Sequence, residues 1–225
     1  SPGTTTLIVT SMPGAKPSPG APACGCAIND ARRPLAGAGA RWAFSFQSDR
    51  LRPTLEKLTE GLSSPLLVEC DVANDHDIDA MFDTVGKELG KLDYLVHALA
   101  YAPAPTFERP FVETTRDDWR TAMDISAYSL VATANRAAPL MKDGGSMVTL
   151  TYLAAERVVP HYNMMGVAKA ALEASVRYLA FDLGPKGIRV NAISAGPVRT
   201  IAARSISGFG ELYSQAGEMS MLKRN

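Results

Sequence analysis

The sequence predicts an α/β protein built on a doubly wound parallel sheet. Two observations carry that prediction. Six short apolar runs alternate with amphipathic stretches at helical spacing, the pattern of strand, crossover helix, strand. The runs are also apolar nearly throughout rather than cleanly alternating, as strands covered on both faces are.

In chain order, "TLIVT" from Thr6 to Thr10 reads as the first strand and "RWAFSF" from Arg41 to Phe46 as the second. Asp49 to Leu62 carries Leu51, Leu55, Leu58 and Leu62 on one helical face. Pro65 to Cys70 is the third strand. Asp77 to Leu89, with Ile78, Met81, Phe82, Val85 and Leu89 in register, is a helix. Asp93 to Leu99 is the fourth strand. Thr115 to Met141 opens with a threonine cap and Asp118 at the third position after it, a capping-box variant. Ser146 to Tyr152 is the fifth strand. Tyr162 to Leu183 is a long helix stopping at "GPKG". Ile188 to Ser194 is the sixth strand. Ligands of such folds bind beyond the carboxyl ends of the strands.

One segment does not fit. Met12 to Gly37 holds Pro13, Pro17, Pro19, Pro22 and Pro34 where a crossover helix is needed. Each proline inside a helix costs ~3 kcal/mol, so only Cys26 to Arg33 suits one. A glycine-rich turn after the first strand is where such folds hold a pyrophosphate. Here there are glycines but no clean G-x-G-x-x-G, and a loose loop is the alternative.

Composition narrows the class. The 225 residues are 46% apolar and 20% charged, with 23 basic and 23 acidic side chains cancelling. That is enough chain for one domain, residues 1–225, with a sizeable core. A neutral balance implies no general attraction to nucleic acid or anionic membrane. No apolar run is long enough for a membrane span, and the start lacks a secretory pattern. Cys24, Cys26 and Cys70 cannot all pair within the chain and read as reduced thiols in a cytoplasmic protein. A zinc site on Cys24 and Cys26 lacks two further ligands at motif spacing; no metal is expected.

The chemistry gathers in "YNMMGVAK", where Tyr162 and Lys169 are separated by six residues. Nearly two helical turns put both on one face, ~10 Å apart along the axis. Both can then address one extended ligand. An ammonium near a phenol favours its ionised form and lowers its pKa. The pair alone also arises by chance in core helices. Its context is more specific. Tyr162 follows the fifth strand's carboxyl end, Tyr152 closes that strand, and "NAISAGPVRT" leaves the sixth strand through a Gly196-Pro197 turn on the same rim.

The run "LTYLAAERVVPHYNMMGVAKAALEASVRYLAFDLGPKGIRVNAISAGPVRTIAA" resembles the FabI-type enoyl-acyl-carrier-protein reductases, members of the short-chain dehydrogenase/reductase superfamily. "SFQSDRL", "CDV" and "LDYLVHALAYAP" support it, and the likeness runs from Gly39 to Asn225. The six-residue spacing, with an earlier tyrosine, separates this family from the superfamily's usual three-residue spacing.

The resemblance implies a Rossmann-type catalytic domain that reduces the trans-2 double bond of enoyl-acyl-carrier-protein thioesters in type II fatty-acid biosynthesis, as a homotetramer. It implies that Tyr162 hydrogen-bonds the thioester carbonyl and stabilises the enolate, and that Lys169 holds the nicotinamide ribose. Tyr152 then orients substrate or supplies a proton. Val198, Arg199, Thr200, Ile201 and Ala202 line the nicotinamide, Asp71 and Val72 embrace the adenine, Leu99 packs beside the cofactor, and Ser11 meets it at the end of the first strand. Ala102 sits by the acyl group. Gln47 stands where ribose recognition is set; a neutral amide followed by Ser48 and Asp49 favours NADH over NADPH, with Arg50 and Arg52 the residues that oppose this. Arg204 to Met219, with Gly208, Gly210 and Gly217, reads as a substrate lid or as a plain surface helix. A ketone- or alcohol-acting relative, and a non-catalytic member of the fold, are the competing readings.

Two departures stand out. The family's "TG" and Ser-Ile-Ala after the first strand are replaced by Ser11 and the proline-rich segment. The chain also ends at Asn225, where the family continues with a helix and a seventh strand, so the last strand is expected to be missing and the sixth to form a raw edge. A misread or shifted frame accounts for a loss so local between matching flanks. Resequencing the coding DNA across Ser11 to Gly39 is expected to reveal it; an intact in-frame reading overturns the idea.

Overall fold

The computed structural model describes residues 6–11, 40–196 and six isolated positions between 210 and 221. The proline-rich Met12 to Gly37, Cys24 and Cys26, residues Val198 to Ala202 and most of Arg204 to Met219 lie outside the described residues.

Six parallel strands form one sheet in the order β3-β2-β1-β4-β5-β6. They are β1 (Thr6–Ser11), β2 (Arg41–Phe46), β3 (Leu66–Glu69), β4 (Tyr94–Ala98), β5 (Gly145–Thr151) and β6 (Ile188–Ser194). β1 pairs with both β2 and β4, with Ser11 opposite Ala98. The strand order therefore reverses at β1 and β4, which opens a crevice at their carboxyl ends. Among the described residues β6 is an edge strand, bonded to β5 along its length.

The helices are α1 (Arg52–Leu58), α2 (Asp75–Leu89), α3 (Arg116–Met123), α4 (Ser129–Ala137) and α5 (Asn163–Leu183). β2 shows why both faces are apolar. Trp42, Phe44 and Phe46 point to one side, where Leu55 of α1 and Leu62 cover them, with the Trp42 and Phe44 rings stacked 5.7 Å apart. Ala43 points to the other side, into the main core. That core joins Ile78, Met81, Phe82 and Val85 of α2, Leu130 and Ala134 of α4, and Leu172 and Val176 of α5 against Leu95, Met147 and Val190. Each large apolar side chain buried this way contributes ~1.5–3 kcal/mol.

Two helical stretches differ from the sequence reading. Asp49 to Leu62 is a short 3₁₀ turn followed by α1, which ends at Leu58. The Thr59 hydroxyl donates to Leu55 O at 2.9 Å, and Gly61 at φ 85 turns the chain so that Leu62 re-enters the core from outside the helix. Thr115 to Met141 is likewise not one α-helix. A π turn over Asp124–Tyr128 separates α3 from α4. The capping box at its start is complete, with Thr115 N donating to Asp118 at 3.0 Å and Asp118 N donating to the Thr115 hydroxyl at 3.2 Å. Cys70 is a buried thiol whose pKa is pushed up to about 12 by desolvation and the nearby Asp77 and Asp71, which keeps it protonated and unreactive.

Candidate active site

The site forms where α5 starts, beside the carboxyl end of β5. Tyr152 follows β5 directly. The chain then makes a short 3₁₀ turn over Leu153–Ala155 and returns to Tyr162, the residue that precedes α5. The two phenol rings lie 5.0 Å apart at 56°. At Gly166 the turn lies close against α5: a Cβ there would stand 3.0 Å from Ala154 O, a tight contact that the turn would have to relieve by a small shift.

Lys169 is 5% exposed, and its ammonium donates to Leu150 O at 2.7 Å. One turn further on, Glu173 accepts from the Thr151 hydroxyl at 2.7 Å. Burial brings the Lys169 pKa down from 10.5 to about 8, partly opposed by the Glu173 carboxylate. An ammonium has three donors, and Leu150 O takes one, so this buried cation is suited to a ligand carrying hydroxyl acceptors.

The Tyr162 phenol departs from the sequence expectation. Its pKa is raised, first by desolvation and then by Tyr152, and Tyr152 itself is raised by desolvation. Burial dominates because the ammonium lies nearly two turns away. Tyr162 therefore stays protonated at neutral pH and acts as a donor.

The wall facing the tyrosines is the loop from Leu99 to Thr114. Phe107 meets Tyr162 edge-on at 6.5 Å, and Ala102, Phe107, Met164 and Met165 form one buried cluster with Tyr162 at its margin. The loop is tied at both ends. Ser126, in the π turn, accepts from Tyr101 N at 2.8 Å and donates to Tyr101 O at 2.7 Å. Asn163 donates to Thr106 O and Arg109 O, each at 3.0 Å, and Arg109 pairs with Asp118. Under the site, His97 is fully buried between the Thr149 and Ser129 hydroxyls at 2.9 and 2.8 Å.

On the far side of the sheet's reversal, the Gln47 amide donates to Asp71 at 3.3 Å, and Asp71 also accepts from Ala73 N at 3.0 Å. Val72 and Leu99 are buried, and Ser11 ends β1 on the same rim. Arg52 is bound to Asp49 at 2.8 Å and sits 4.9 Å above the Phe46 ring. The structure thus brings Tyr152, Tyr162 and Ala102 together, sets Lys169 nearly two turns along the same helix on Leu150 O, and aligns Ser11, Gln47, Asp71, Val72 and Leu99 along the strand ends. Phe107, Ser126, Asn163, Glu173 and His97 were not singled out by the sequence reading. Asn163 had one visible signal, its place directly after Tyr162.

A doubly wound sheet carrying a buried lysine and two rim tyrosines is the frame of the short-chain dehydrogenase/reductase class. The family model described as enoyl-(acyl carrier protein) reductase matches residues 25–225, and the chain belongs to that family. It is 51% identical over 175 residues to enoyl-[acyl-carrier-protein] reductase [NADH] 1 of Rhizobium meliloti, covering 78% of this chain and 64% of that relative. The Bacillus cereus enoyl-acyl carrier protein reductase, solved with NADP+ and an indole naphthyridinone, aligns with TM-score 0.88 at 40% identity, covering 98% of this chain and 83% of that one. The Anaplasma phagocytophilum reductase, solved with NAD, aligns with TM-score 0.86 at 42% identity, covering 98% and 81%.

Lys169 provides a direct test of the electrostatics. Its folded pKa of about 8 lies below the ordinary 10.5, so between those values the unfolded chain holds more protons than the folded one. Stability then rises with pH across that window. Below it the buried charge costs about 3 kcal/mol. Lys169→Met is expected to flatten the rise in denaturant-unfolding free energy between pH 8 and 10.5 relative to wild type; equal slopes contradict it.

Proposed function

We propose that the chain is an NADH-dependent enoyl-[acyl-carrier-protein] reductase, a single dinucleotide-binding catalytic domain that reduces the trans-2 double bond of enoyl thioesters in type II fatty-acid biosynthesis. The observation that carries this reading is a desolvated, protonated Tyr162 packed against Tyr152, with Lys169 buried on the same helix face.

The donor set fits the cofactor. Lys169 offers ribose hydroxyls a desolvated ammonium with donors to spare. Gln47, Asp71 and Val72 suit the adenosine end, with Ser11 and Leu99 beside them. Val198, Arg199, Thr200, Ile201 and Ala202 stand as nicotinamide-lining residues on family resemblance. When bound, NADH supplies the hydride that adds to the β-carbon of the enoyl chain.

The remaining chemistry belongs to the chain. Charge develops on the thioester carbonyl oxygen as the β-carbon is reduced. The Tyr162 hydroxyl donates to that oxygen, and its raised pKa keeps the proton on the phenol, so the oxygen is stabilised as an enolate by a preorganised donor. Tyr152 faces the same space and orients the thioester or passes a proton toward the α-carbon. Ala102 and Phe107 flank the acyl group. NADH is preferred over NADPH because Arg52 is engaged by Asp49 and Phe46 and the Gln47 amide is neutral.

The acyl group arrives on acyl-carrier protein. The working form is a homotetramer, a reading supported by apolar side chains on α5, where Tyr178 is 75% and Phe181 81% exposed. A groove lined by Met123, Ala127, Tyr128 and Val131 beside α5 adds to it. Among the described residues no helix is long and apolar enough to cross a membrane; the cytoplasmic setting is proposed on the family resemblance.

Crotonyl thioester is expected to drive NADH oxidation while acetoacetyl thioester does not; the reverse preference identifies a ketone-acting enzyme instead. Tyr162→Phe should lower kcat by about two to three orders of magnitude and leave the NADH Kd, read by fluorescence titration, nearly unchanged. An unaffected kcat removes Tyr162 from the mechanism.

A further inference from the structure

We infer that Asn163 is a positioning residue that clamps the acyl-side wall onto Tyr162 and thereby sets productive binding of the enoyl thioester, an inference that rests on the reductase reading above. Asn163 opens α5 directly after Tyr162, the N-cap residue, whose side chain makes no cap bond. The Asn163 side chain crosses to the facing loop and donates from one amide nitrogen to both Thr106 O and Arg109 O, each at 3.0 Å. Two carbonyl acceptors fix the amide orientation, because only the NH₂ group can serve both. Thr106 and Arg109 bracket Phe107, the residue whose ring meets Tyr162 edge-on.

The backbone supports the same assignment. Asn163 has φ 35, and His161 on the other side of Tyr162 has φ 63. Positive φ is tolerated by asparagine and resisted by most side chains. The residue is thus held in a left-handed conformation that directs its amide away from the helix and toward the loop. The opposite end of the wall is fixed by Ser126 on both polar atoms of the Tyr101 backbone. With Asn163 holding its far end, the packing of Phe107 and Ala102 against Tyr162 is fixed.

Two variants separate the clamp from the backbone. Asn163→Gly accepts positive φ and has no donor. Asn163→Asp keeps the shape and turns a carboxylate on two carbonyl oxygens; on acidification it recovers one O–H donor. The enoyl-thioester KM is expected to rise about tenfold in both, with the NADH Kd unchanged and the Asp variant partly restored at acidic pH. Hydrogen exchange should accelerate in the loop from Leu99 to Thr114 in both variants, whatever the protein's substrate. A lower Tm with kcat reduced and KM unchanged indicates a merely structural residue and overturns the assignment, as does unaltered loop exchange. Faster loop exchange in the variants of a wild type that does not turn over crotonyl thioester upholds the clamp and removes the reductase reading instead.

Discussion

The seam between α5 and the end of β5 organises this molecule. Four contacts run down one face of the helix: Tyr162 against the Tyr152 ring, Gly166 against Ala154 O, Lys169 on Leu150 O, and Glu173 on the Thr151 hydroxyl. Their spacing follows successive turns of a helix. Each meets a residue of β5 or of the turn that follows it, so the helix cannot slide or rotate without losing several contacts at once. Gly166 lets the turn lie close, since a Cβ there would stand 3.0 Å from Ala154 O. The tyrosine pair and the buried ammonium are products of the same docking. The chemistry is therefore fixed by the element that also supplies Leu172 and Val176 to the core.

Much of this was legible in the sequence because it is periodic or local. Arg41–Phe46 and Ile188–Ser194 have in the structure the bounds that the sequence indicates; the first is buried on both faces and so has little other composition available, while the second alternates buried Ile188 and Val190 with exposed Arg189 and Asn191. The capping box at Thr115 is a contact within one turn and could be read from residue spacing. Tyr162 and Lys169 share a helix face by geometry alone. What could not be read is what depends on distant partners. The π turn at Asp124–Tyr128 interrupts an unbroken helical pattern, and Ser126 within it binds Tyr101 across the fold. Asn163 reaches carbonyls that no spacing rule connects to it.

The protonation states also needed three dimensions. From the sequence, the lysine appears as a charge that should acidify the phenol. In the structure, the tyrosine pair is desolvated and the lysine lies further along the helix, so the phenol is harder to ionise. The two effects oppose each other, and burial is the stronger because removal from water acts on the phenol directly. The consequence is chemical. A group that keeps its proton serves as a hydrogen-bond donor to a developing oxyanion, whereas an ionised phenolate next to that oxygen would repel it.

His97 shows how the fold protects this arrangement. It lies beneath the site with both ring nitrogens bonded, to the Thr149 and Ser129 hydroxyls. Each hydroxyl also has a backbone acceptor, Ser129 in Ile125 O at 2.6 Å and Thr149 in His97 O at 3.1 Å, so a neutral ring needs one of the two hydroxyls to turn its proton toward the bare ring nitrogen while the other accepts from the ring N–H. That network is satisfied by the neutral ring. Burial and the nearby Lys169 hold the pKa at about 3, far below any ordinary working pH. A charged imidazole would face the lysine ammonium in a medium of low polarity, where like charges repel strongly. By staying neutral, His97 joins β4, β5 and the start of α4 through hydrogen bonds and leaves Lys169 as the buried cation further along the helix that Tyr162 precedes.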